Sequence, residues 1–175
     1  PNRTFKMAAE VAREAAASPR VGVERGALPY DRFLFLSECF GMDNLFDLAG
    51  FMRELRKIKL PWEVEALRDS AQTAERMMNI TMQLTQVGMT EADIFKIWYQ
   101  SGYEITGGHE ICHINQVHAT GKDFWATLLP RETPLEDGDI VRLDGGLTLY
   151  GYVSDIGRSY AVGDPAKVSD EKKAI

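Results

Sequence analysis

The sequence predicts an α+β domain preceded by an α/β layer, and three observations carry that reading. Residues 1–58 alternate helix, strand, helix and strand, the order of an α/β layer. Lys59-Leu-Pro61 then breaks the chain, because proline ends one helix and sits well in the first turn of the next. From residue 59 to 175, two helical stretches lead into a hairpin that carries two aspartates.

Each element has a local cause. Thr4 to Ala17 is alanine-rich with Phe5, Ala8, Ala12 and Ala15 at helical spacing, and Ser18-Pro19 ends it. Arg20-Val-Gly-Val-Glu24 reads as a short strand. Leu28-Pro29 opens a helix with Phe33, Leu34, Leu36 and Phe40 on its apolar face, and Gly41 stops it. Asn44 to Asp47 is a second short strand, and Leu48 to Ile58 a helix whose cations gather at its C-terminal end, as the macrodipole favours. Beyond the break, Val64, Leu67, Ala71, Ala74, Met78, Leu84 and Val87 form a stripe along one long helix from Trp62 to Val87, closed by Gly88. Met77, Met78, Met82 and Met89 read as core filler. Thr90-Glu-Ala-Asp93 starts another helix in the manner of a capping box, with Gly102 as its expected end. Ser169-Asp-Glu opens a last helix just before the sequence stops, and the chain starts with Pro1-Asn2 rather than Met, so a fragment is expected.

Composition bounds the function. Hydrophobic residues make up 45% and charged residues 26%, a balance that supports a globular core. A net charge of −6 argues against nucleic acid and anionic membrane as partners. No apolar run approaches the roughly 20 residues of a membrane span, and no secretion signal is visible, so a cytoplasmic location is expected. Cys39 and Cys112 fit no metal or redox spacing.

The chemistry concentrates between Val141 and Tyr160. Asp144 and Asp155 are eleven residues apart in a pattern that reads as a hairpin around Leu149–Gly151. A turn on Leu149 and Tyr150 would set the two aspartates directly opposite one another, with Cβ atoms only about 4.5–5.5 Å apart. Carboxylates that close repel, and a divalent cation removes the conflict. The alternative is a solvated hairpin slipped by one residue, with the aspartates on opposite faces. His109-Glu-Ile-Cys-His113 matches the zinc-binding pattern H-E-x-x-H, which needs a helix. The preceding Gly107-Gly108 and the following Ile111, Ile114, Val117 and Thr120 favour loop and strand instead.

The segment Asp144-Gly-Gly, Tyr150-Gly-Tyr and Ser154-Asp-Ile-Gly-Arg158-Ser-Tyr, preceded by Leu135-Glu-Asp-Gly-Asp139, resembles the signature of the pita-bread metallopeptidases. That group includes aminopeptidase P, prolidase, methionine aminopeptidase and the metal-free creatinase. The resemblance implies that residues 1–58 end a creatinase-like N-terminal domain and 59–175 form the first half of a pita-bread domain. It implies Asp144 and Asp155 as ligands of a two-metal centre (Mn, Co or Zn), with a metal-activated water cleaving a peptide bond. Tyr150 and Arg158 are expected as hairpin supports. A family histidine is expected near Ala126–Leu128, where this sequence has none, and His118 lies too early. With the later ligands also absent, the 175 residues alone are expected to be inactive. Two other readings stay open: a metal-free, creatinase-like hydrolase of a small C–N compound, and an inactive relic or interaction module. An unclosed half-domain should expose apolar surface, so a homo-oligomer is expected.

Overall fold

Proline and glycine set several of the element boundaries in the computed structural model, which describes residues 3–16, 19–108, 111–119 and 130–173. The chain divides into two compact units between Lys59 and Leu60. In the first, α1 (Arg3–Ala15), β1 (Val21–Val23), α2 (Tyr30–Phe40), β2 (Leu45–Asp47) and α3 (Ala49–Lys57) follow one another, with a short 3-10 turn at Met42–Asn44. Strands β1 and β2 pair in parallel, Val21 with Leu45 and Val23 with Asp47. Ala9, Val23, Leu36, Phe40 and Leu45 form the small core between these elements.

The second unit contains α4 (Pro61–Leu84), α5 (Glu91–Thr106), β3 (Ile111–Ala119), β4 (Ile140–Leu149), β5 (Tyr152–Val153), β6 (Ile156–Ala161) and a short α6 (Asp170–Lys173). Strand β4 is central: it pairs antiparallel with β3 on one side and with β5 and β6 on the other. Helices α4 and α5 cover one face of the sheet, where Met77, Met78, Ile94 and Trp98 meet Val117, Val141, Leu143 and Leu147. The methionines act as core filler, as expected. No described helix is long and apolar enough to cross a membrane.

Two helical expectations are corrected. The buried face of α4 is Ala66, Ser70, Ala74, Met77, Met78 and Thr81, whereas Val64, Ala71, Leu84 and Val87 are exposed. Small residues win that face because they let the helix come close to the sheet, and the Ser70 hydroxyl donates to the Leu147 carbonyl at 3.2 Å. Helix α5 runs through Gly102 to Thr106 and stops at Gly107, whose φ of 68° is the left-handed cap conformation. Gly102 is inside the helix because a Cβ there would lie 2.3 Å from Cys112 Sγ and 2.8 Å from Met77 Cε. The site demands absence of a side chain, not a turn.

Glu91, at the start of α5, is 1% exposed. Its carboxylate accepts from the Ala119 and Arg131 backbone N–H groups, each at 2.8 Å, and from the Arg131 guanidinium at 2.6 and 3.0 Å. Arg131 also donates to the Ala119 carbonyl at 2.8 Å. One carboxylate thus holds the end of β3 to the start of the segment that leads to β4. Burial pushes the Glu91 carboxyl pKa up, but the hydrogen bonds from Arg131 and Ala119 outweigh it and hold it below the ordinary value. A carboxylate with a depressed folded-state pKa stabilises the fold above its unfolded value and loses that contribution as pH falls through the folded one. Glu91→Ala should cost about 2–3 kcal/mol in urea unfolding, less than a fully buried pair because Arg131 reaches solvent. Glu91→Gln should flatten the loss of stability below about pH 4.5, the ordinary glutamate range.

Candidate functional site

Alternation along β4 decides which side chains are available for chemistry. Val141, Leu143 and Leu147 are fully buried against the helices, so Arg142, Asp144 and Gly146 belong to the other face of the sheet. On β3 the register places His118 opposite Arg142, Gln116 opposite Asp144 and His113 opposite Gly146. On β6 it places Ser159 opposite Arg142 and Gly157 opposite Asp144.

The hairpin turns one residue later than expected, which moves every cross-strand partner by two. Tyr150 and Gly151 occupy the turn with φ of 53° and 82°, both positive, as a two-residue hairpin turn of matching twist requires. Leu149 therefore pairs with Tyr152, and Asp144 with Gly157 instead of Asp155. A shift by a whole pair keeps every residue on its face. Ser154 is buried beneath the sheet, its N–H and hydroxyl donating to the Leu147 carbonyl at 2.9 and 3.2 Å. Asp155, the next residue, is exposed, and Ile156 packs on the core again. Asp144 and Asp155 thus share the face away from the helices, as diagonal rather than direct neighbours.

Two glycines shape the ground beside them. A Cβ on Gly146 would lie 1.9 Å from the Ser154 carbonyl oxygen, so the chain crosses Gly146 where no side chain fits. A Cβ on Gly157 would meet Asp144 Oδ1 at 3.7 Å, an ordinary contact. Gly157 brings no side chain of its own against the Asp144 carboxylate. Carboxylate oxygens such as those of Asp144 and Asp155 are of a kind that divalent cations accept as ligands. They do not complete a centre: no group of three or more His, Cys, Asp and Glu side chains able to hold a metal occurs among the described residues.

His113 lies in a strand, not a helix, and its carbonyl accepts from Trp98 Nε1 at 3.0 Å. The helical geometry of H-E-x-x-H is therefore absent at His113; His109 and Glu110 lie outside the described residues, as does the stretch Ala126–Leu128. A bulge between Ile114 and Gln116 shifts the β3 register by one. Without it, His113 and His118 would lie on opposite faces. With it, both lie on the face of Asp144, a juxtaposition invisible to a plain count of residues. Tyr150 forms the turn, and Arg158 on β6 is exposed, its guanidinium donating to the Gly157 carbonyl at 2.7 Å. Cys112 points to the core, and burial pushes its thiol pKa up, away from nucleophilic thiolate. In the first unit, a cavity of about 390 Å³ is lined by apolar groups such as Phe5, Val23 and Leu36, with Glu24 its one charged lining residue. Glu24 is held by Arg56 at 3.1 Å. That cavity offers no converging polar groups.

Comparison with known proteins gives one consistent result. Residues 65–175 match the description of Metallopeptidase family M24. The uncharacterized peptidase YqhT of Bacillus subtilis is 27% identical over 163 residues, which cover 93% of this chain and 45% of that protein. The X-Pro aminopeptidase of Thermotoga maritima superposes with a TM-score of 0.77 at 20% identity, over 100% of this chain and 48% of that one. The Xaa-Pro dipeptidase of Bacillus anthracis gives 0.76 at 23% identity, over 99% and 47%. The chain spans about half the length of these proteins, and its mixed α+β fold is that of the matching half.

The two glycines should separate by substitution. Gly146→Ala should destabilise the protein by about 1–3 kcal/mol in urea unfolding, because backbone must move to admit the methyl. Gly157→Ala should change stability by less than about 0.5 kcal/mol, since its Cβ meets only ordinary contacts.

Proposed function

The chain belongs to metallopeptidase family M24, and on that footing we propose that it is part of a divalent-metal-dependent hydrolase of the Xaa-Pro aminopeptidase or prolidase type. Residues 59–175 would be the first half of its pita-bread catalytic domain, and 1–58 the end of an α/β domain before it. The observation that carries the proposal is the shared sheet face of Asp144 and Asp155. The likeness to an X-Pro aminopeptidase and an Xaa-Pro dipeptidase supports the substrate class.

In this reading Asp144 and Asp155 hold the metal, and the remaining ligands come from outside the described residues. A bound divalent cation supplies Lewis acidity toward the scissile carbonyl and the attacking water. The chain's own contribution is placement. The Leu147 carbonyl and Ser154 lock the hairpin register, so the two carboxylates keep their relative position when the face is occupied. Tyr152 ties the hairpin tip to the start of α4, its hydroxyl donating to Glu63 at 2.6 Å.

Calorimetric titration with Mn²⁺, Co²⁺ and Zn²⁺ tests the assignment. The 175-residue chain should bind none of them with submicromolar affinity and should not cleave Xaa-Pro peptides, because tight transition-metal sites take at least three protein ligands. In the full-length protein, Asp144→Asn and Asp155→Asn should each lower kcat/KM by more than about 100-fold, beyond the 10–100-fold typical of groups outside the ligand shell. Full activity in either variant would remove that residue from the metal site.

A further inference from the structure

We propose that Glu63 and Tyr152 are positioning residues for Asp155: they form a latch between the first turn of α4 and the hairpin that fixes where this carboxylate stands beside Asp144. The catalytic use of the latch rests on the hydrolase reading above, but the latch itself does not.

Asp155 falls where the sheet is interrupted. Pairing of β4 with β5 stops at Thr148 and Val153, and pairing with β6 begins at Gly145 and Ile156. Ser154 and Asp155 belong to neither strand. The regular ladder that fixes Asp144 on β4 therefore does not reach Asp155, whose position follows from what holds its neighbours. On one side Ile156 is already in the ladder. On the other, Ser154 is bound to the Leu147 carbonyl through its N–H at 2.9 Å and its hydroxyl at 3.2 Å, and Tyr152 is bound to α4.

The grip on Tyr152 comes from one carboxylate with two tasks. Glu63 Oε2 accepts from the Leu60 N–H at 2.7 Å, which caps the helix, and Oε1 accepts from the Tyr152 hydroxyl at 2.6 Å. A hydroxyl that donates to a carboxylate at this distance makes a strong, charge-assisted bond. The Trp62 and Tyr152 rings meet edge to face, with centroids 5.8 Å apart and planes at 85°, an arrangement aromatic pairs prefer. Glu63 and Ser70 lie seven residues apart, so they share a face of α4 about 10.5 Å along its axis. Ser70 donates to the Leu147 carbonyl at 3.2 Å. The helix thus holds the hairpin at two points, Leu147 before the turn and Tyr152 after it. One point would leave the hairpin free to pivot; two do not. The helix itself is anchored by Ala66, Ala74, Met77 and Met78, all buried.

Amide hydrogen exchange in the 175-residue chain reads the latch, with the Ser154 N–H as reporter and the Leu143 N–H, on the central strand, as control. Tyr152→Phe removes the hydroxyl and keeps the ring against Trp62. It should speed Ser154 exchange about tenfold, the effect of one hydrogen bond to a charged group, and leave Leu143 within about twofold. Glu63→Gln should have a smaller effect, because its amide can still donate to the Tyr152 hydroxyl. In the full-length protein, Tyr152→Phe should raise the Mn²⁺ Kd about tenfold, the lower end for groups that support metal ligands, with kcat at saturating Mn²⁺ within about twofold. An unchanged Ser154 rate, or faster exchange with an unchanged Kd, would overturn the proposal. So would an equal acceleration at Leu143, which marks general loosening instead of a local latch. If the unaltered full-length protein binds no Mn²⁺, the hydrolase reading falls, and the Ser154 rate alone then decides whether the latch exists.

Discussion

The burial of one face of β4 is the constraint on which the second unit depends. Val141, Leu143 and Leu147 have no exposed surface, and opposite them stand Trp98, Ile94, Met77 and Met78 in the same condition. Burying such side chains stabilises the fold by about 1.5–3 kcal/mol each, so the strand cannot rotate or slip by one residue without exposing the whole set. The pleat then dictates the rest. With the odd-numbered residues committed to the core, Arg142, Asp144 and Gly146 fall on the free face, and their register partners fall there with them. The polar character of that face follows from packing on the other.

A second constraint holds the helices at the right height. Ala66, Ser70 and Ala74 put little bulk between α4 and the sheet, and Gly102 does the same for α5 against Cys112. The Leu147 carbonyl accepts from both Ser70 and Ser154. Helix, central strand and hairpin are therefore tied at one carbonyl, three residues before the turn. The pair Thr85 and Tyr160, with hydroxyls 2.9 Å apart, repeats the tie at the other end of the sheet.

Much of this was legible in the sequence, for stated physical reasons. Pro29, Pro61 and Gly41 act through local backbone restriction, so the boundaries they set could be read without knowing the fold. The common face of Asp144 and Asp155 depends only on parity, which survives an error of one whole pair. What escaped reading depends on contacts distant in sequence. Tyr150 adopts a positive φ that its side chain does not announce, and this moved the hairpin register. A stripe of apolar residues does not by itself locate the buried face of α4, where Ala74 and Met78 of the stripe are joined by Ala66 and Ser70 because close approach to a sheet selects small side chains. Gly102 looked like a helix end because its reason lies across space, in Cys112 and Met77. The bulge near Asn115, which unites His113 with His118, has no local signature at all.

The Glu91 carboxylate has a consequence for how the second unit comes apart. Two backbone N–H groups and one guanidinium answer to the same pair of oxygens, so the end of β3 and the approach to β4 are held by a single side chain. A proton on that acid, or its loss, is felt at Ala119 and at Arg131 at once, and two places far apart in sequence loosen as one.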